Sequence, residues 1–349
     1  MNHPTHTLIV FLDGAMDEPL DSLGGRTPLE SAKTPFMDAV AASGKTGYTD
    51  AKPYTHLFAL ELLGGRGLVV PRGVIEAVGH GIPISDEDVA YRLTPATIAG
   101  GRIHWEYQVS AQEEGLRRLA RHHVKTLAGH QPTLHFYGVG KGILTLRSDE
   151  VQALPMPPED ANCDDFGDLG PYVEAVAKND HGLGYLPWGG GKMTGDGERS
   201  PASAADGLVT FSRSPSVLGV SAYFGLETRE IGAYPDGLRE ALSQLNTGNV
   251  LWHVEETDEA SHRRDPTRKV EIIEHVDRLL LQNRDRLSGH RVAIIVDHGT
   301  SSITGRHIVC SVPFAVSDGW ETSATERRLH EPENNHVPLG GLLARLVVE

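Results

Sequence analysis

The sequence has very little cysteine and no cluster of basic residues. Of its 349 residues, only Cys163 and Cys310 are cysteines. Two cysteines exclude a disulfide framework and a zinc site built from thiolates, and they suit a reducing compartment. Acidic residues outnumber basic ones by 47 to 32, which gives a formal charge of -15, and no stretch concentrates lysine and arginine. A nucleic-acid partner is therefore not expected.

Long apolar runs are also missing. The first apolar run, Leu8 to Leu12, is too short to cross a bilayer. The segment from Met1 to His6 has neither the basic region nor the small-residue cleavage site of a signal peptide. We therefore expect a cytoplasmic protein without a membrane partner. The sequence does not indicate the oligomeric state.

The order of the apolar segments predicts an α/β fold. A chain of this length buries a large core without covalent staples. Residues 7–12 are typical of a buried parallel strand, and residues 250–254, 268–283 and 292–296 predict a strand-helix-strand unit. Further helices are expected at 36–43, 56–63 and 338–348, and a further strand at 307–316.

The middle of the sequence has a different composition. Predicted strands there alternate with an amphipathic stretch, Ser110 to Leu127. We expect residues 88–178 to form a smaller inserted α+β domain, and residues 1–87 with 179–349 to form the core. The segment from Gly189 to Asp206 is rich in Gly, Ser and Asp, which predicts a mobile loop.

Six side chains that can bind a divalent cation lie beside the predicted core elements. They are Asp13, Asp258, His262, Asp297, His298 and His307. Asp258 and His262 are one helical turn apart, and Asp297-His298 follows a predicted strand. Taken singly, each has an ordinary explanation as a turn, capping, core or surface residue. Together they match the ligand count of two metal ions, which mostly perform phosphoryl chemistry. Carboxylate and imidazole ligands without thiolate suit Mn²⁺ or Zn²⁺ better than Ca²⁺.

Several blocks of sequence, spread over most of the chain, carry a family resemblance. The most specific are Phe11-Leu-Asp-Gly14 followed by Leu23-Gly-Gly-Arg-Thr-Pro-Leu-Glu-Ser-Ala-Lys-Thr-Pro35, and later His253-Val-Glu-Glu-Thr-Asp-Glu-Ala-Ser-His262. Residues 72–82, 88–92 and 188–192 extend the match. These blocks resemble the archaeal-type cofactor-independent phosphoglycerate mutases of the alkaline phosphatase superfamily. The resemblance implies an alkaline-phosphatase-like core with a mixed, mostly parallel sheet between helices, a lid-like insert, and two Mn²⁺ or Zn²⁺ ions.

The resemblance also implies how the ligands divide between two ions. One ion would be held by Asp13, Asp297, His298 and the oxygen of the catalytic nucleophile. The other would be held by Asp258, His262 and His307.

The nucleophile implied by the resemblance falls on Thr55. The family places a serine just ahead of an apolar helix that ends in Leu-Gly, and counting back from Gly64 leads to Thr55. A threonine hydroxyl can make the same attack, and the N-terminus of the helix adds backbone donors for phosphoryl oxygens. The alternative is that Thr55 is only the N-cap of that helix.

Candidate substrate-binding residues are Arg92, Lys192 and His56. Arg92 and Lys192 fall on matching blocks and could hold the phosphate and carboxylate of a small substrate. His56 stands where the family has Asp. The resulting expectation is a metal-dependent phosphotransfer enzyme that acts through phospho-Thr55 on a small phosphorylated carboxylate. The alternatives are a phosphatase or a phosphonate or phosphate-ester enzyme of specialised metabolism, and a catalytically silent metal-binding or regulatory homologue.

Overall fold

The computed structural model divides the chain into two compact units. The first unit is Met1–Leu68 with Ser200–Glu349, and the second is Val69–Arg199. The residues that the structure describes are 6–64, 67–68, 70–106, 111–138, 140–149, 163–179, 182–193, 201–308, 310–320, 328–331 and 334–348.

The elements alternate between strand and helix along most of the chain. The strands are β1 (Thr7–Leu12), β2 (Lys45–Asp50), β3 (Asp88–Ala99), β4 (Arg102–Trp105), β5 (Thr133–Phe136), β6 (Gly142–Arg147), β7 (Leu183–Lys192), β8 (Val209–Ser212), β9 (Glu227–Glu230), β10 (Val250–Val254), β11 (Arg291–Val296), β12 (Gly299–Thr300), β13 (His307–Ile308) and β14 (Ser311–Ser317). The α-helices are α1 (Pro28–Ser31), α2 (Pro35–Ser43), α3 (Thr55–Gly64), α4 (Arg72–Gly79), α5 (Glu113–His123), α6 (Gly170–Ala177), α7 (Pro215–Tyr223), α8 (Tyr234–Gln244), α9 (Glu256–His262), α10 (Pro266–Gln282), α11 (Arg284–Leu287) and α12 (Leu339–Val347). Short 3-10 helices lie at Asp21–Leu23, Val124–His130, Cys163–Leu169 and Ser203–Ala205.

A seven-stranded sheet forms the centre of the first unit. Its strand order is β2-β14-β11-β1-β10-β8-β9. The four pairs from β11 to β9 are parallel, whereas β14 is antiparallel to both β11 and β2. Every residue of β1 and of β11 is buried, so both faces of the sheet are covered, as expected for a parallel sheet between helices. The predicted mixed, mostly parallel α/β fold is confirmed.

The helices of the first unit begin where the sequence supplies helix-start signals. Thr27 and Glu30 form a capping box at the start of α1, with reciprocal side-chain to backbone hydrogen bonds. Asp265 accepts a hydrogen bond from the backbone N–H of Arg268 at the start of α10, and Pro266 is the first helical residue. Among the described residues, no helix combines the length and apolar character needed to cross a membrane.

The second unit is an antiparallel sheet with helices. Strands β4-β3-β6-β5 form the sheet, and β7 pairs with β3. Its core is apolar and includes Tyr91, Leu144, Phe166, Tyr172 and Tyr185, all almost fully buried. Because β7 pairs with β3 and α4 packs against both strands, this unit starts before and ends after the expected segment 88–178.

Two local expectations are wrong. The predicted strand 307–316 is two strands in different sheets, because β13 pairs with β12 whereas β14 joins the large sheet. Gly189 to Gly191 belong to β7 and are not part of a loop. A Cβ on Gly190 would lie 2.0 Å from the ring of Tyr91, so the strand needs glycine there for close packing. Residues 194–200 of the predicted loop lie outside the described residues.

Candidate metal centre

The carboxyl ends of three neighbouring strands meet at one edge of the large sheet. Leu12 at the end of β1 pairs with Val296 of β11 on one side and with Val254 of β10 on the other. Asp13 follows β1 and Asp297 follows β11, and β10 leads into α9, the helix that carries Asp258. Because parallel strands end at the same edge, this topology brings together residues that are far apart in the sequence.

One group at this edge is buried and surrounds the hydroxyl of Thr55. Asp13, Asp297 and His298 offer ligand atoms that all lie within 4.8 Å of one another. The Thr55 hydroxyl donates to Asp13 Oδ1 at 3.0 Å and lies 3.1 Å from His298 Nε2. His298 Nε2 is also 3.2 Å from Asp13 Oδ1 and 3.3 Å from Asp297 Oδ2. Four potential ligand atoms therefore lie close enough together to bind one cation.

The second group, Asp258, His262 and His307, is more open to solvent. Its ligand atoms also lie within 4.8 Å of one another. Asp258 Oδ2 is 3.0 Å from His262 Nε2, and the Nε2 atoms of the two histidines are 3.2 Å apart. The predicted helical turn between Asp258 and His262 exists as part of α9. This group therefore presents one carboxylate and two imidazoles to a common point.

Hydrogen bonds on the far side of the two imidazoles fix which nitrogen faces the centre. His262 Nδ1 is 2.8 Å from the carbonyl oxygen of Gly305, and His307 Nδ1 is 2.7 Å from that of Pro53. Since a carbonyl only accepts, both Nδ1 atoms carry hydrogen, and in the neutral rings both Nε2 lone pairs face each other. Two lone pairs 3.2 Å apart repel each other unless a proton or a metal ion bridges them, and an outer hydrogen bond from Nδ1 is how metal-binding histidines are held.

The buried group also carries a carboxylate oxygen that accepts no hydrogen bond from the described residues. Asp297 is fully buried, and its Oδ2 has no hydrogen-bond partner among the described residues. Burial, reinforced by the charge of Asp13, raises the pKa of Asp297 to about 7. Burial opposes protonation of His298, but the charges of Asp297 and Asp13 outweigh it and raise its pKa to about 10. The residues of both groups therefore fit divalent cations, because an ion would satisfy the orphaned oxygen and offset the buried negative charge.

Two residues that the sequence did not indicate as part of the site lie between the buried group and the more open group. The hydroxyl of Thr300 donates to Asp258 Oδ1 at 2.5 Å and lies 3.2 Å from His298 Nδ1. Gly14 has a positive φ of 60°, and a Cβ at this position would lie 2.5 Å from Asp258 Oδ1. Glycine is therefore required next to Asp13, both for the turn and for the close approach of Asp258.

Thr55 is the first residue of α3, so the expectation that it is the N-cap of a helix starting at 56 is wrong. Its hydroxyl is directed at Asp13 and His298. His56 is buried beside it, and its ring centroid is 5.8 Å from that of Tyr54. Tyr54 remains 41% exposed with its ring 5.9 Å from His307, so an aromatic side chain stands at the open side of the centre.

The remaining candidates, Arg92 and Lys192, belong to the second unit. Arg92 is buried, and its Nη1 donates to Glu76 Oε2 at 2.8 Å and to the hydroxyl of Tyr137. Lys192 ends β7 and lines a cavity of about 540 Å³ together with Arg147 and several acidic residues. The Arg92 guanidinium is thus already engaged by a carboxylate, which its sequence position alone did not indicate.

Comparison with known proteins first gives a family match over part of the chain. Residues 225–340 match the model of the Metalloenzyme superfamily. This segment contains five of the six carboxylate and imidazole side chains of the two groups, all except Asp13. The fold is also shared with solved structures: a PH0037 protein from Pyrococcus horikoshii superimposes with a TM-score of 0.72 at 22% identity, covering 99% of this chain and 97% of that one.

The chain is also similar to cofactor-independent phosphoglycerate mutases. The 2,3-bisphosphoglycerate-independent phosphoglycerate mutase 2 of Methanothermobacter thermautotrophicus is 29% identical, with 88% of this chain and 87% of the relative covered. The mutase of Thermococcus gammatolerans is 28% identical over 89% and 88% of the two chains. A cofactor-independent phosphoglycerate mutase from Thermoplasma acidophilum shares the fold with a TM-score of 0.57, 18% identity and 98% coverage of each chain. The resemblance predicted from the sequence is confirmed.

Proposed function

We propose that the protein is a metal-dependent phosphotransfer enzyme that uses Thr55 as its nucleophile on a small phosphorylated carboxylate. The observation that carries the proposal is the position of the Thr55 hydroxyl, which is within 3.1 Å of both Asp13 Oδ1 and His298 Nε2. Similarity to enzymes named phosphoglycerate mutases supports the same reaction class.

Two divalent ions, Mn²⁺ or Zn²⁺, are part of this proposal. One is held by Asp13, Thr55, Asp297 and His298, the other by Asp258, His262 and His307. When bound, the ions supply Lewis-acid stabilisation of the charge that develops on phosphoryl oxygens. Binding requires His262 and His307 to present Nε2, and the hydrogen bonds from their Nδ1 atoms to Gly305 and Pro53 hold that tautomer.

The transfer itself is a displacement at phosphorus. The Thr55 oxygen forms a bond to phosphorus while the bond from phosphorus to the substrate's ester oxygen breaks. The hydroxyl gives up its proton and the leaving oxygen takes one up, so protons balance. Because Thr55 is β-branched and at the start of a helix, few rotamers are open to it, and its oxygen is held in place before the substrate arrives. We propose that backbone N–H groups of the first turn of α3 bind phosphoryl oxygens.

The fate of the phosphoryl group separates a mutase from a phosphatase. If phospho-Thr55 returns its group to another hydroxyl of the same bound acid, the enzyme is an isomerase. If water accepts it, the enzyme is a phosphatase. His56 stands where the family has Asp, and Leu57 and Phe58 replace the family's small polar pair, so phosphate-ester hydrolysis is kept as the second candidate.

Arg92, Lys192 and His56 are proposed to bind the substrate, and a lid function for the second unit stays a prediction. A cytoplasmic location also stays a prediction.

The test is a pair of assays on protein loaded with Mn²⁺ or Zn²⁺. Isomerisation of phosphoglycerate without added bisphosphoglycerate is the expected result. Phosphate release from simple esters without isomerisation would replace the mutase by the phosphatase. A protein that binds two ions and turns over neither type of substrate would favour the catalytically silent homologue.

A further inference from the structure

A buried histidine outside the two ligand groups contacts one of the proposed ligands. His253 is the fourth residue of β10 and is fully buried. Its Nε2 is 3.1 Å from Asp13 Oδ2, and its Nδ1 is 2.9 Å from the hydroxyl oxygen of Ser212. Both ring nitrogens are therefore engaged, one of them by a carboxylate at the metal centre.

The chemistry of the partners fixes the direction of the first hydrogen bond. Asp13 Oδ1 accepts from the hydroxyl of Thr55, and Oδ2 lies 3.1 Å from His253 Nε2. A carboxylate oxygen accepts from an imidazole N–H, so Nε2 of His253 is the donor in this contact. The Ser212 hydroxyl pairs with Nδ1 of His253 in either protonation state, because a hydroxyl can donate to a bare ring nitrogen or accept from a protonated one.

The histidine itself is held rigidly. The backbone N–H of Ser214 donates to the Ser212 oxygen at 2.9 Å, which orients that hydroxyl. The ring of Phe11 packs edge-on against the His253 ring at a centroid distance of 4.8 Å, and the two residues are register partners in β1 and β10. The donor is thus fixed by the sheet and by a turn, and neither depends on an ion.

This contact decides which oxygen of Asp13 is available at the centre. The last torsion of an aspartate side chain is broad, so a carboxylate without an anchor can turn either oxygen toward an ion. Here Oδ2 is bound by His253, and Oδ1 is the oxygen that faces Thr55 and His298.

We infer that His253 and Ser212 are positioning residues that orient Asp13 for the ion of the buried group. The inference rests on the proposed two-ion function. Removing the anchor weakens one ion site and spares the other, because neither residue contacts Asp258, His262 or His307 through any described hydrogen bond. Losing an outer hydrogen-bond partner of a ligand commonly lowers metal affinity by about 10- to 100-fold.

The experiment measures the affinity and number of Mn²⁺ ions bound by the full chain, using calorimetry and metal analysis after dialysis. His253→Leu removes the donor, and His253→Gln keeps an N–H near the Nε2 position. Ser212→Ala keeps the imidazole but removes the hydroxyl that holds its Nδ1. Ser221→Ala is the matched control, since Ser221 is equally buried in the same unit and its hydroxyl donates to Thr210 instead.

The expected result is that His253→Leu and Ser212→Ala bind one ion as the wild type does and the other about 10- to 100-fold more weakly. His253→Gln recovers most of that loss, and Ser221→Ala binds both ions normally even if its melting temperature falls. Wild-type affinity for both ions in His253→Leu and in Ser212→Ala would overturn this inference alone. Wild-type protein that binds fewer than two ions would instead overturn the proposed function on which it depends.

Discussion

Lys269 joins the two loops that carry the metal centre, and its replacement is expected to destabilise both. It lies in α10 and is fully buried. Its ammonium group donates to the carbonyl oxygens of Met16 and Thr300 at 2.9 and 3.1 Å, and to Asp17 Oδ2 at 3.1 Å. Met16 follows the strand that ends before Asp13, and Thr300 follows His298, so one side chain ties both loops to a helix.

The size of the effect follows from what Lys269→Met leaves behind. The ion pair between Lys269 and Asp17 has no exposed side-chain surface on either side. Breaking such a pair from one side leaves an uncompensated charge and costs about 3–5 kcal/mol. Asp17→Asn combined with Lys269→Met removes both charges, and the two changes are expected to be non-additive by about 2 kcal/mol.

The assay is urea unfolding of the metal-free protein, followed by circular dichroism, for the wild type, both single variants and the double variant. The control is Arg268→Met, because the Arg268 side chain is on the same helix and 56% exposed. The reasoning fails if Lys269→Met shifts the urea midpoint no more than Arg268→Met does. It also fails if the effects of the two single substitutions simply add.

Two further predictions concern a ligand and a buried acid. Asp258→Asn is expected to lower the number of Mn²⁺ ions bound from two to one. The protein should remain folded, because the amide oxygen of Asn still accepts the hydrogen bond from Thr300. Glu259→Gln on the same helix is the control, and two bound ions in Asp258→Asn would contradict the ligand assignment. Burial raises the pKa of Asp277 from its ordinary value of 3.8 to about 7. The folded state therefore holds this proton more tightly, so the contribution of Asp277 to stability is fully present below pH 4 and is lost, by up to about 4 kcal/mol, as pH rises through 7. Asp277→Asn should flatten this dependence in pH-series melting, whereas Asp285→Asn, whose side chain is 96% exposed, should not.

The ligand residues at strand ends were predictable from the sequence. Asp13 and Asp297-His298 follow apolar runs that have the length and composition of buried parallel strands, and parallel strands end at a common edge. Asp258 and His262 were predictable as a pair because one helical turn separates them. In each case the local pattern also determines the direction of the side chain.

The residues that hold the ligands in place were not predictable in this way. Lys269 is in a helix with polar neighbours and is separated from Asp17 by 252 positions, so its burial depends on tertiary contacts. Ser212 and His253 meet because β8 and β10 are neighbours in the sheet, which no local pattern reveals. The pairing of β7 with β3 was not predictable for the same reason, since it crosses a long stretch of intervening sequence.

In the proposed mechanism, Thr55 carries the phosphoryl group between substrate and product. Mass spectrometry of peptides from the metal-loaded enzyme, quenched in acid during turnover, detects this group. We expect one phosphoryl group on Thr55 of the wild type. In Thr55→Val, which keeps the shape of the side chain without the hydroxyl, we expect neither the phosphoryl group nor turnover. Undiminished turnover by Thr55→Val, with no phosphorylated Thr55 in the wild type, would contradict this mechanism.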